Sequence, residues 1–302
     1  MCRGGEPAVA RACLWLAFCL LLIAVVYEGG RTTVFAQSIA VVSILVLFAH
    51  AVLALGVGRA VAFSAICLTV TFAVENLGVA TGFPFGAYTF LVAPDWPHVG
   101  AIPIIVGTLY FGIGYPAWII ACLLLGTDIH GPTTRRDLVF TPIIAAFTLT
   151  QWDVVMDPAN ATIGRAWAWF ESGGYFGVPL TNFVGWFLTT WLFFQGFALF
   201  AYRSRGGSRG VRRNPAFLAV PVLLYAASAL CHLPPLLDPD AIVVDAGGRS
   251  WSAADIRETA AIMALFTMLP LALLALMKLV EAAFLPRAHS VQGDRPAGLP
   301  IF

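Results

Sequence analysis

Charge is what this chain has least of. Only 11% of its 302 residues are Asp, Glu, Lys or Arg, while 60% are hydrophobic and the mean hydropathy is +0.86. Soluble domains carry roughly 25% charged residues, so a soluble domain is excluded. The net charge of +1 argues against nucleic acid as a partner. Six cysteines occur without CxxC spacing, at the N-terminus or inside apolar runs, which leaves neither a disulfide framework nor a zinc site. The five histidines form no HxxxH or HxxHH pair. That excludes the histidine-box di-iron enzymes and speaks against any His-based metal site. A dinucleotide fingerprint, a phosphate-binding Gly-rich loop and a G-x-S-x-G elbow are also missing. No cofactor and no metal are expected.

What is present is a succession of apolar runs, at about 12–27, 33–56, 60–80, 102–125, 138–156, 181–202, 214–232 and 254–281. Each approaches or exceeds the ~18–20 residues that cross a bilayer core as a helix. The expected fold is therefore all-α: a polytopic transmembrane bundle of about eight spans, forming one integral membrane domain over 1–302. With the N-terminus cytoplasmic, only Arg31, Arg165, Arg249 and Arg257 among the 17 basic residues fall outside, which satisfies the positive-inside bias. The arginines at 203–213 then read as a topology anchor, and this places the protein in the cell membrane. An alternative takes the first run as a signal peptide cleaved after Val34-Phe35-Ala36, leaving seven spans in the same orientation.

Two stretches break the apolar pattern, Glu75–Tyr88 and Thr150–Trp186, and this topology puts both at the extracytoplasmic ends of their spans. Ionisable groups inside a span are costly and point to function. Glu75 lies about 24 Å up the third helix, counted from Arg59 at 1.5 Å per residue, and Asp153 lies at a similar depth on the fifth. A structural polar network with Asn76, Gln151 or Asn182 is the competing account. Asp157 precedes Pro158 and can be read as a solvated helix end. If the helix continues through it, Asp153 and Asp157 share a face, and two such carboxyls leave one as an acid and one as a base. Tryptophans at the outer boundary ordinarily form an interfacial belt, but Trp167-x-Trp169 with Phe170 and Tyr175 is denser than a belt requires. Ring faces beside an acid stabilise a developing cation.

The first stretch reads Glu75-Asn76-x-Gly78, then Thr81-Gly82-x-Pro84-Phe85-Gly86-x-Tyr88. The second reads Asp153, Asp157-Pro158 and Trp167-x-Trp169, then Gly174-Tyr175-x-Gly177-Val178-Pro179-x-x-Asn182-Phe183-x-Gly185-Trp186. In this order the motifs resemble the membrane carotenoid-biosynthesis family, which includes carotenoid 1,2-hydratases and bisanhydrobacterioruberin hydratases, over residues 60–200. The resemblance implies hydration of the terminal ψ-end double bond of a carotene such as lycopene to a tertiary alcohol, without a redox cofactor. The substrate would lie in the bilayer, with other enzymes of the pathway as further partners.

The resemblance assigns no catalytic residues; the chemistry suggests them. Protonating a trisubstituted alkene gives a tertiary cation that water captures. Asp153 is the expected proton donor, Glu75 its partner or base, and Asp157 the alternative acid. Trp152, Trp167, Trp169, Tyr175 and Tyr88 are expected around the substrate, with Asn182 holding water or a carboxyl. Three other readings stand beside this one. An alkene instead of water would capture the cation in an end-group cyclase. The Asp153-x-x-x-Asp157 pair would hold magnesium and diphosphate in a membrane prenyltransferase. Lys278 would carry retinal, or the bundle a carotenoid without chemistry, in a pigment-binding protein.

Overall fold

Inside a bilayer a segment that is apolar on every side must satisfy its own backbone, and a helix does so within one segment. The computed structural model describes residues 8–31, 33–204 and 214–284, and its long helices follow the apolar runs. They are α1 (Ala8–Glu28), α2 (Val34–Leu55), α3 (Val57–Thr81), α4 (Ile104–Leu125), α5 (Arg135–Pro158), α6 (Leu180–Arg203) and α7 (Pro215–Leu230). The last span is built from α8 (Ala253–Met263), a π-helical turn (Ala264–Met268) and α9 (Leu269–Phe284). Among the described residues eight segments are long and apolar enough to cross a membrane. The chain is an all-α polytopic bundle, as its composition predicts. Arg203 ends α6; Arg205, Arg209, Arg212 and Arg213 of the basic cluster lie outside the described residues.

At the centre stands α4, packed on α2, α3, α5, α7 and α9. Its Tyr110, Tyr115, Trp118, Ile119 and Ile120 expose nothing. The opposite extreme is α1, which packs on α2 and α7 and turns most of its side chains outward.

Prolines inside helices would ordinarily break them, because each removes an N–H and frees the carbonyl four residues back. Three are accommodated here in the same way. Pro142 frees Leu138 C=O, which accepts from Gln195 Nε2 on α6 at 3.1 Å. Pro158 frees Val154 C=O, which accepts from Tyr175 Oη at 3.2 Å. Pro221 frees Phe217 C=O, which lies 2.8 Å from His50 Nε2. A carbonyl can only accept, so Nε2 carries the His50 hydrogen, leaving Nδ1 to accept from Tyr115 Oη at 2.7 Å. Each freed carbonyl becomes a tie to another segment, which is how helix breakers are tolerated in membranes.

The loops after α1, α3, α5 and α7 gather at one end of the bundle and carry three short antiparallel ribbons. Strand β1 (Tyr88–Phe90) lies in the loop after α3, and is followed there by the pair β2 (His98–Val99) and β3 (Ile102–Pro103). β4 (Trp167–Trp169) follows α5, while β5 (Ile242–Val244) and β6 (Ser250–Ser252) form a hairpin between α7 and α8. The ribbon that matters most joins β1 to β4, pairing Tyr88 with Trp169 and Phe90 with Trp167. It brings together the two stretches that break the apolar pattern. Arg31 pairs with Asp238 at 3.4 Å, tying the first of these loops to the fourth.

Candidate functional site

The site is assembled around one ring. Phe85 is buried between Gly78 of α3 and Gly185 of α6. A Cβ at Gly78 would meet the ring at 2.7 Å, and one at Gly185 at 2.5 Å, so only glycine admits it from either side. The Phe85 carbonyl then accepts from Trp169 Nε1 at 3.1 Å and Thr181 Oγ1 at 3.2 Å. This fixes the loop after α3 against β4 and the start of α6. The alternation of side chains along β4 keeps Trp167 and Trp169 on one face, and both border the same cavity.

That cavity, of about 40 Å³, is lined by Glu75, Asp157 and Asn182 among aromatic groups that include Tyr88, Trp152 and Trp186. Asp153, Asp157, Glu75 and Asn182 each expose 3% or less of their surface. Helix α5 does continue through Asp157 into a π-helical turn (Ala159–Ile163), so Asp157 is no solvated end. The four-residue spacing puts both aspartates toward α6, where the Asn182 amide nitrogen divides its two hydrogens between them. It lies 2.6 Å from Asp157 Oδ2 and 3.2 Å from Asp153 Oδ2. Trp167 Nε1 donates to Asp157 Oδ1 at 2.6 Å. Asp153 Oδ1 is buried without a hydrogen-bond partner.

Glu75 is held differently, by hydroxyls. Tyr110 Oη donates to Oε1 at 2.6 Å, and Tyr88 Oη donates to Oε2. Burial first, and then the neighbouring Glu75 carboxyl, keep the Tyr88 hydroxyl protonated far above its ordinary range. Among the described residues no salt bridge reaches Glu75, Asp153 or Asp157. Three carboxyl groups therefore share a small volume with neutral donors alone.

The structure brings Glu75, Asp157, Asn182, Tyr88, Trp152, Trp167 and Trp169 to one cavity, while Asp153 lies behind Asn182 and does not border it. Tyr175 does not border it either; its hydroxyl is spent on the carbonyl that Pro158 frees. Burial, followed by Asp157, pushes the Tyr175 phenol up to about 12. Three participants carried no usable signal in the sequence. Tyr110 sits inside a uniformly apolar run, Trp186 lies within a recognised motif but reads as a belt residue, and Asp245 lies in an unremarkable loop. Asp245 is buried and accepts from Ser172 Oγ at 2.5 Å and Trp251 Nε1 at 2.8 Å, while Gly177 (φ +94°) leaves the space beside it. A Cβ on Gly177 would come within 2.9 Å of the Asp245 Cβ. This clasp holds the β4–α6 loop to the β5–β6 hairpin.

Two of the competing readings lose ground on geometry. A metal between Asp153 and Asp157 would have to displace the Asn182 N–H groups that lie there. Lys278 is half exposed and paired with Glu281 at 2.9 Å, and it does not line the cavity that holds Glu75 and Asp157.

A bundle of apolar helices with buried carboxyls beneath an aromatic ribbon defines a class that comparison with known proteins names. Residues 35–239 match the family described as carotenoid biosynthesis protein, and the chain belongs to that family. The match extends beyond the motif-bearing 60–200 region at both ends. A bisanhydrobacterioruberin hydratase of Haloarcula japonica is 29% identical over 134 residues, which are 44% of this chain and 43% of that protein. The chain thus aligns with less than half the length of this curated relative. No solved structure matches.

Proposed function

We propose that the protein is a cofactor-independent carotenoid hydratase that adds water across the terminal 1,2 double bond of a ψ-end carotene. One observation carries this reading: Glu75 and Asp157, from different helices, face one cavity otherwise lined chiefly by aromatic and aliphatic groups. The family membership and the hydratase relative support it.

The hydrogen bonds suggest a division of labour. Both oxygens of Asp157 accept from N–H groups, which can only donate, so a proton on either would weaken the bond made there. Asp157 is suited to remain a carboxylate. The partners of Glu75 are hydroxyls, which can donate or accept, so Glu75 can carry a proton without losing its ties. In this reading Glu75 protonates the terminal alkene carbon. The tertiary cation is held by the Asp157 carboxylate and by the faces of Trp152, Trp167 and Trp169. Water attacks the cation, its proton passes to Asp157, and that proton returns to Glu75 before the next turnover. The net change is the addition of one water. Asp153 positions Asn182 instead of donating the proton, the reverse of the role its sequence context suggested. The positive-inside distribution supports placing this chemistry at the extracytoplasmic face.

The test is to express wild type, Glu75→Gln, Asp157→Asn and Asp153→Asn in a lycopene-accumulating host and weigh the pigments. Loss of a general acid or base costs roughly 10²–10⁴-fold, so the first two variants should lose the hydrated product. Asp153→Asn should keep a measurable fraction. A wild-type product isomeric with the substrate, lacking the added water, would instead indicate cyclisation.

A further inference from the structure

A second cavity, of about 140 Å³, lies between α1, α2, α4 and α7 on the other side of the site's back wall. Leu109, Trp152 and Met156 line both cavities. The space exists because of small residues. Ala36, Ala40 and Ser43 recur on one face of α2 at spacings of four and three, opposite Gly112 of α4 and Ser228 of α7. Helix interiors otherwise pack to crystal-like density, so a chamber of this size, walled in part by small side chains, calls for an occupant. Its lining on α2 runs from Ala36 to Leu47, about 16 Å at 1.5 Å per residue.

We infer that this chamber binds the apolar polyene chain of the substrate behind its reacting end. The inference rests on the carotenoid reading above. The acid cavity, at about 40 Å³, leaves no room for the full length of a hydrocarbon chain, so a substrate whose terminus reacts there must extend elsewhere. The adjoining chamber is elongated and lined chiefly by apolar groups, with Ser43, Ser228, Asn160 and His232 as its polar members. Its partition includes Met156, an unbranched side chain able to change shape around a ligand. Asn160 holds that side chain from the π-helical turn, donating to Met156 C=O at 2.9 Å and lying 3.2 Å from Sδ. Movement of Met156 would join the two spaces, leaving the chain in the chamber and its terminal alkene between Glu75 and Asp157.

Two measurements test this. In the first, wild-type protein in detergent is irradiated with a diazirine-bearing acyclic polyene, and the labelled peptides are mapped by mass spectrometry. Labelling within 34–55 and 104–125, competed by unlabelled polyene, is expected. Labelling confined to other segments, or competed by phospholipid and not by polyene, overturns the proposal. In the second, Ala40→Phe and Ser43→Leu are assayed on two hydrocarbons with the same end group, one a full-length polyene and one too short to reach the chamber. Burial of one to two methylenes is worth about tenfold, so the long-to-short turnover ratio should fall by about that factor. An unchanged ratio in the variants that fold overturns the proposal, and the labelling arm decides the matter if neither folds. Labelling in the chamber without any hydrated product would leave the subsite standing and sink the hydratase reading. Hydrated product with labelling elsewhere would do the opposite.

Discussion

Asn182 lies 2.6 Å from Asp157 through an amide nitrogen whose second hydrogen goes to Asp153. One neutral side chain thus holds two carboxyl groups that no cation among the described residues reaches. Its replacement by leucine, similar in size but without donors, should strip Asp153 and leave Asp157 with the Trp167 bond alone. Hydrogen bonds to charged groups are worth about 1.5–3 kcal/mol, or roughly 10- to 100-fold in rate. Asn182→Leu should lower hydrated product by that factor while the protein remains extractable as a monodisperse species. Full product from this variant would show that the amide has no part in the chemistry.

Tyr175 and Pro158 make a reciprocal pair. Tyr175→Phe leaves the Val154 carbonyl without a donor, at a cost of about 1–3 kcal/mol for a buried acceptor. Pro158→Ala restores the N–H that would otherwise bond that carbonyl. The double variant should therefore regain much of the thermal stability that Tyr175→Phe loses, a coupling a double-mutant cycle reads directly. Additive losses would mean the hydroxyl is not serving the freed carbonyl.

Phe85 predicts a packing outcome. Gly185→Ala would press a methyl into the ring from a Cβ position 2.5 Å away. Overpacking of this kind costs about 1–3 kcal/mol. Melting temperature should fall, and Phe85→Leu in the same chain should recover part of the loss.

The clasp around Asp245 should be acid-labile. Burial alone would raise this carboxyl, but hydrogen bonds from Ser172, Trp251 and the Arg249 backbone, with the Arg249 charge, hold it below the usual range. A carboxyl depressed in the folded state contributes its stabilisation above the unfolded value of about 3.9. That contribution is lost as pH falls through the lower folded value. Wild type should therefore lose thermal stability more steeply than Asp245→Asn as pH is taken from 5 towards 3. Parallel curves would remove Asp245 from the account.

The number of helices and their order were legible from hydropathy, because length and apolarity alone decide what can cross a bilayer. The meeting of the Glu75 and Asp157 stretches was legible too, from polar residues stranded in apolar runs. Orientation within the bundle was not. A run as uniformly apolar as α4 has no periodicity to mark its inner face, so Tyr110 could not be assigned to Glu75. Pro158 suggested a helix end because the donor replacing its missing N–H comes from Tyr175, a contact that tertiary folding alone creates. The β1–β4 pairing was hidden for a similar reason, since its strands are three residues long and its paired residues lie 77 (Phe90 to Trp167) to 81 (Tyr88 to Trp169) positions apart in the chain.

The same ribbon that carries Tyr88 to Glu75 carries Trp167 to Asp157. The two carboxyls are therefore gauged against each other by the loops and not only by how α3 and α5 lean together. Transmembrane helices change tilt with the thickness of the surrounding bilayer. A bridge across the ends that carry these loops lets such tilting be absorbed toward the opposite face, so the spacing of the two carboxyls answers to the protein and is insulated from its lipid.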